Sequence, residues 1–364
     1  MYKKCIFFCI SAIATGIAIF LLIQFVNKKR NNYLSFPADK IFRLNEQVGP
    51  IAITPDGNSI AWISAFDYSS GLNILSLQNG TSTPLKNRND VRIHGIATSP
   101  DGKYLVIGVR GKDGSFLAVW DIANQICTKE IPVDRGFLST IVFDKDGKSV
   151  YTGSGGGDGI VRLVDIESGT VENIFTPQDR EGLPIDSDLS IGAIALAPDG
   201  NELAIGLRTG VVIWNYRVKE SRFYISDEKC IIASLAISPD GHYLAIRGDS
   251  AELWDYQKGQ KIGDLPSPNL HSHMSKIKFS PDGKLLVASL NGPINFPSEI
   301  GVWQTKDFSR SFLFSCQEDV ITSMAFIPGT NTLVTGSSDC SIRLWDLNKI
   351  SWANEKTEKN KNRQ

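Results

Sequence analysis

The sequence predicts an all-β fold of seven small sheets arranged radially in a ring, preceded by one N-terminal transmembrane helix. Three observations carry that expectation. A Pro-Asp-Gly turn or a near copy of it begins at Pro55, Pro100, Lys145, Pro198, Pro239, Pro281 and Pro328, at intervals of 45, 45, 53, 41, 42 and 47 residues. Short runs of alternating apolar residues flank the turns, the period-2 signature of half-buried strands. Cys5 to Val26, ahead of all of them, is a run of 22 residues without a charge.

The uncharged run reads CIFFCISAIATGIAIFLLIQFV. As a helix it would be about 33 Å long, enough for a hydrocarbon core of about 30 Å. A secretory h-region is shorter, about 7–15 residues, and ends at a small-residue cleavage site; here Lys28-Lys29-Arg30 follows instead. Residues 1–30 are therefore expected to be an uncleaved anchor with basic flanks, with the Cys5–Val26 helix in contact with the membrane. Five of the 38 basic residues and none of the 39 acidic ones lie in this segment, which leaves 33 basic residues for the rest. The positive-inside tendency favours a single-pass protein with its ring on the cytoplasmic side.

Each turn joins a first strand to a second, as Ser234 to Ile237 before one turn and Leu285 to Ala288 after another. Pro presets φ and Gly accepts positive φ at such a turn. A third strand then ends in an aromatic–polar or similar pair: Trp120-Asp121, Val164-Asp165, Trp214-Asn215, Trp254-Asp255, Trp303-Gln304 and Trp345-Asp346, with Leu75-Ser76 in the first repeat. A shorter fourth strand follows, as at Ile126 to Ile131. A four-stranded sheet cannot bury both faces alone. Radial stacking packs each sheet on two neighbours, and closure of the ring leaves only short protected edges.

These motifs resemble the WD40-repeat β-propeller family over nearly all of the chain outside the anchor and the tail. The best matches are Gly336 to Asp346, GSSDCSIRLWD, and Asp158 to Asp165, DGIVRLVD. The resemblance implies a seven-bladed WD40-like β-propeller over residues 31–352. It implies an Asp in the tight turn before the third strand, matched by Asp158, Asp249 and Asp339. Trp120, Trp214, Trp254, Trp303 and Trp345 recur at one blade position and are therefore expected to be core packing. The resemblance also implies that a strand near Lys40 to Leu44 completes the last blade. The family's Gly-His pair before the first strand is mostly missing, so apolar packing is expected to hold the ring more than a repeated hydrogen-bond network. Residues 353–364 are polar without periodicity and are expected to be a disordered tail.

No catalytic, cofactor or metal constellation emerges. The Asp-Gly pairs lack a calcium-ligand series. The glycine-rich stretch 153–159 lacks the Lys-Ser or Lys-Thr of a phosphate loop and reads as a hairpin. His271 and His273 have no third ligand nearby. The near-balanced charge gives no reason to expect a nucleic-acid partner. Partner-binding candidates are Arg110, Arg208 and Arg247, at or just beyond the second strands, near the hairpins that the resemblance places on the partner-binding face. Guanidiniums there can receive acidic side chains or phosphate. Ile294 and Phe296 join them, in an insertion spanning Asn291 to Glu299; a second insertion spans Thr176 to Ser190. Loops on a rigid scaffold commonly carry binding specificity.

Together with the anchor, the resemblance implies a membrane-tethered protein–protein interaction scaffold or adaptor, without catalysis, whose anchor raises local concentration. The alternatives are an exported propeller that binds a ligand or envelope component, and a propeller enzyme with polar groups converging on the central channel.

Overall fold

Among the described residues, alternating apolar residues pair into 28 strands, grouped as seven four-stranded antiparallel sheets. The computed structural model describes residues 36–352 apart from 65–70, 86–90, 113, 135, 156–157, 177–178, 180–189, 227–231, 249–250, 266–272, 292–297, 309–310 and 318. Strand β1 is Lys40–Arg43. Blade 1 holds β2 (Val48–Ile53), β3 (Ser59–Ser64), β4 (Leu72–Ser76) and β5 (Ser82–Leu85). Blade 2 holds β6 (Arg92–Thr98), β7 (Tyr104–Arg110), β8 (Ser115–Asp121) and β9 (Ile126–Asp134). Blade 3 holds β10 (Phe137–Phe143), β11 (Ser149–Gly155), β12 (Val161–Asp165) and β13 (Val171–Phe175). Blade 4 holds β14 (Ala193–Leu196), β15 (Glu202–Gly206), β16 (Gly210–Asn215) and β17 (Glu220–Ser226). Blade 5 holds β18 (Ser234–Ile237), β19 (Tyr243–Arg247), β20 (Ala251–Asp255) and β21 (Gln260–Asp264). Blade 6 holds β22 (His273–Phe279), β23 (Leu285–Asn291), β24 (Ser298–Gln304) and β25 (Ser311–Gln317). Blade 7 holds β26 (Ile321–Phe326), β27 (Thr332–Ser337) and β28 (Ser341–Asp346), and takes β1 as its outer strand.

The first strand of each blade is the innermost. Each inner strand lies beside the inner strands of the two neighbouring blades, and β2 lies beside β26, which closes the ring. Seven apolar clusters fill the seams between successive blades. One seam joins Val48 and Ile60 of blade 1 to Val334 and Ile342 of blade 7. This is the seam packing that radial stacking requires, since neither face of a blade is left to water.

The two ends of the described chain meet in blade 7. β1 pairs antiparallel with β28, with Ile41 opposite Arg343. The amide of Asp346 donates to the Asp39 carboxylate at 2.6 Å, and Lys349 pairs with the same group. Phe36 packs on Phe314, with ring centres 5.0 Å apart, and stacks on Trp345.

All seven Pro-Asp-Gly-like turns fall between a first and a second strand. The chemistry is local. In blade 6, Ser280 Oγ donates to Asp282 at 2.6 Å and accepts the Leu285 amide at 2.9 Å, while Asp282 accepts the Lys284 amide at 3.0 Å. Gly283 closes the turn at φ 71°, which a side chain would strain. The aromatic–polar pairs end the third strands, and their polar members cap the next turn: Asp121 accepts the Asn124 amide at 2.8 Å and Asp255 the Lys258 amide at 2.9 Å.

Two expectations are corrected. The fold is a seven-bladed WD40-like propeller, but the preceding transmembrane helix does not stand: no helix among the described residues is long and apolar enough to cross a membrane. Their apolar residues lie in strands whose side chains fill the seams, and the helical turn after β28, Leu347–Lys349, has three residues. Cys5–Val26 lies outside the described residues. The membrane contact, the single-pass topology and the cytoplasmic placement all rested on that helix and are withdrawn with it. Strand β9 is also longer than expected, running to Asp134 because Ile131 and Val133 both bury their side chains.

Candidate interaction surface

Antiparallel blades sort their connections by face. First-to-second and third-to-fourth turns lie on one face of the ring. Second-to-third loops and blade-to-blade connections lie on the other, called here the loop face. Arg110 ends β7, Arg208 follows β15, and Arg247 ends β19, so all three stand at the loop face. The ring does not present them alike. Arg208 is exposed, Arg110 is half-buried, and Arg247 is 1% exposed, within the blade wall. Arg247 is therefore a poor surface contact. Ile294, Phe296 and Asp249 lie outside the described residues.

Arg110 belongs to a cluster at the seam of blades 2 and 3. Its guanidinium lies 4.5 Å from the ring centre of Phe137, the first residue of β10. His94 approaches the same ring edge-on, at 4.6 Å and 70°. Arg92 stands directly opposite Arg110 in the β6–β7 register. The pair sets two like charges side by side at this edge, a geometry to which a carboxylate can bind. Burial, and then the charges of Arg92 and Arg110, lower the His94 pKa below 6.5, so the imidazole is neutral at neutral pH. Its Nε2 is buried without a hydrogen-bond partner among the described residues. The cluster thus offers guanidinium donors and an aromatic platform to an acidic, hydrogen-bonding group.

His94, Arg92 and Phe137 escape a reading confined to one repeat. The available signal was the repeat interval itself: Phe137 follows Arg92 by 45 residues, the spacing of Pro100 and Lys145, which sets equivalent ends of neighbouring inner strands side by side.

The turn aspartates hold the loop face together. Asp339 accepts Arg343 Nη2 at 2.8 Å, and the Ser341 hydroxyl donates to it as well. Asp158 accepts the Ile160 amide at 3.1 Å and pairs with Arg162, whose side chain is 4% exposed. Burial acts to raise the Asp158 pKa, but the Arg162 hydrogen bond, the amide and the guanidinium charge outweigh it and leave it lowered. Trp120, Trp214, Trp303 and Trp345 are buried in the blades and Trp254 is half-buried. Trp214 donates to Ile174 O at 2.7 Å and Trp345 to Thr335 Oγ1 at 3.0 Å. Among the described residues, no group of three or more His, Cys, Asp or Glu is placed to hold a metal ion.

Fold and surface together define a WD40-type β-propeller whose candidate site is a face of loops. Comparison with known proteins agrees with the fold. The family model described as "WD domain, G-beta repeat" matches residues 308–346. Protein LST8 homolog of Drosophila melanogaster is 28% identical over 181 residues, covering 48% of this chain and 53% of that protein. The chain thus spans about half the length of this relative. Target of rapamycin complex subunit LST8 of Mus musculus is 24% identical over 266 residues, 70% of this chain and 75% of that protein. Among solved structures, a chain of the "Crystal Structure of Mitotic Checkpoint Complex" superposes with a TM-score of 0.70 at 16% identity, covering 86% of this chain and 96% of that one. That likeness shows the fold alone.

Proposed function

We propose that this protein is a non-catalytic interaction scaffold that holds a protein partner on its loop face, with the seam of blades 2 and 3 as the principal contact. The observation that carries the reading is Arg110 braced on Phe137, opposite Arg92 and beside a neutral His94. A pre-positioned guanidinium loses less side-chain freedom on binding than a free one, and arginine beside an aromatic ring is a frequent anchor at interfaces. The partner chemistry that fits is an acidic segment. Arg208, exposed on the same face, is a second contact. The relatives support a scaffold role, since the mouse relative is by name a subunit of a complex. Neither a membrane tether nor an internal reaction enters the proposal.

The test is co-purification with tagged wild type, Arg110→Glu, and Lys284→Glu on the opposite face. The expected result is a stoichiometric partner retained by wild type and Lys284→Glu and lost from Arg110→Glu. Retention by all three, or loss from Lys284→Glu alone, contradicts it.

A further inference from the structure

The residue three before each turn-start position recurs around the ring. Six blades place a small apolar residue there: Ala52, Ala97, Val142, Ala195, Ala236 and Ala325. Blade 6 alone places a charge, Lys278. Two residues earlier on β22 stands Lys276, where other blades carry uncharged residues such as Gly95, Ala193 and Ser323. β22 is the innermost strand of its blade. Ile277 and Phe279, which alternate with the lysines, are buried in the seam with blade 5. Lys276 is half-buried and Lys278 exposed. An exposed side chain on an innermost strand opens onto the ring axis. Two lysines therefore share the axial channel, walled elsewhere at Lys278's level by small apolar side chains.

Desolvation lowers the Lys276 pKa, and desolvation followed by the Lys276 charge lowers that of Lys278; no carboxylate among the described residues offsets either shift. Two ammonium groups kept close in a walled space are costly without a counter-charge. Alanine at position 278 would satisfy the repeat and remove that cost, so the lysine is unfavourable to the empty ring and useful to an occupied one.

We propose that the axial channel binds a compact oxyanion of the phosphate type between Lys276 and Lys278. This site is separate from the loop-face cluster and stands whether or not the scaffold reading does. Pyrophosphate is the probe. Calorimetric titration of the full chain at fixed ionic strength is expected to show saturable one-to-one binding, with affinity reduced at least tenfold in Lys278→Ala and unchanged in Lys284→Ala. Thermal melting adds a second signature. Lys278→Ala should melt higher than wild type without pyrophosphate and lose the rise that pyrophosphate gives wild type. Lys276→Met, which keeps the side-chain length, should weaken binding likewise and serves if the alanine variant folds poorly. Equal binding by the lysine variants would place the anion elsewhere and overturn the proposal, as would no saturable binding at matched ionic strength.

Discussion

The guanidinium of Arg110 lies 4.5 Å from the ring centre of Phe137, so the end of a second strand in blade 2 is braced by the start of the inner strand in blade 3. The contact crosses a seam. It fixes a cation at the loop face and ties that cation to the packing of two blades. Phe137→Leu is expected to lower stability by about 0.5–1 kcal/mol, the size of a partly exposed cation–π contact. It should also weaken partner binding in the same direction as Arg110→Ala. Denaturant unfolding and binding measured on the same variants check both.

The blade tryptophans are unequal. Trp345 donates to Thr335 Oγ1 at 3.0 Å, and Thr335 is fully buried. The Trp120 indole N–H is buried with no acceptor among the described residues. Trp345→Phe leaves a buried hydroxyl without its partner, which costs about 1–3 kcal/mol beyond the lost area. Trp120→Phe loses no hydrogen bond and should be the milder change. Melting temperatures of the two variants against wild type decide it.

Close approach at the closing seam makes Gly336 sensitive. A Cβ there would stand 2.7 Å from Val48 Cγ1 and 3.3 Å from Ile51 Cγ2, both in the inner strand of blade 1. Gly336→Ala is expected to destabilise the ring by about 1–3 kcal/mol through overpacking. At Gly263 a Cβ meets nothing within 4 Å, and Gly263→Ala should be neutral or slightly stabilising. Equal destabilisation by both would contradict the seam geometry.

Acid should loosen the turns. The Thr54 hydroxyl and the Asn58 amide lower the Asp56 pKa, the Ser99 hydroxyl and the Lys103 amide lower that of Asp101, and the Asn201 amide lowers that of Asp199, each below the ordinary 3.8. A depressed folded pKa means that the unfolded chain takes up protons first. The stabilisation is complete above pH 3.8 and is lost as pH falls through the lower folded values. Thermal melts between pH 2 and 6 should fall most steeply below about 4. The triple Asp→Asn variant should lose part of that slope.

Much of the ring was readable because turn chemistry is local. Ser-Pro-Asp-Gly, at Ser99, Ser238 and Ser280, specifies its reversal within six residues, and together with four near copies it places seven hairpins without knowledge of tertiary contacts. Closure by β1 followed from the family resemblance, applied to a strand-like stretch left over before the first repeat. The site was less so. Arg110, Arg208 and Arg247 occupy similar strand positions, yet their exposure differs from blade to blade, and the ring that Arg110 meets comes from across its seam. The capping of turns by Asp121 and Asp255 was hidden as well, since the aromatic–polar pair drew the reading toward its tryptophan. The long uncharged run at the N-terminus pointed to an anchor that the described residues do not provide.

The loop face is the side of the ring expected to receive the partner. A photo-crosslinking amino acid in place of Lys112, on the loop between β7 and β8, and another in place of Lys284, on the opposite face, test this directly. The account predicts a discrete protein adduct from position 112 that disappears when Arg110→Glu is added, and none from position 284. An adduct of equal strength from position 284, or one from position 112 that survives Arg110→Glu, would contradict it.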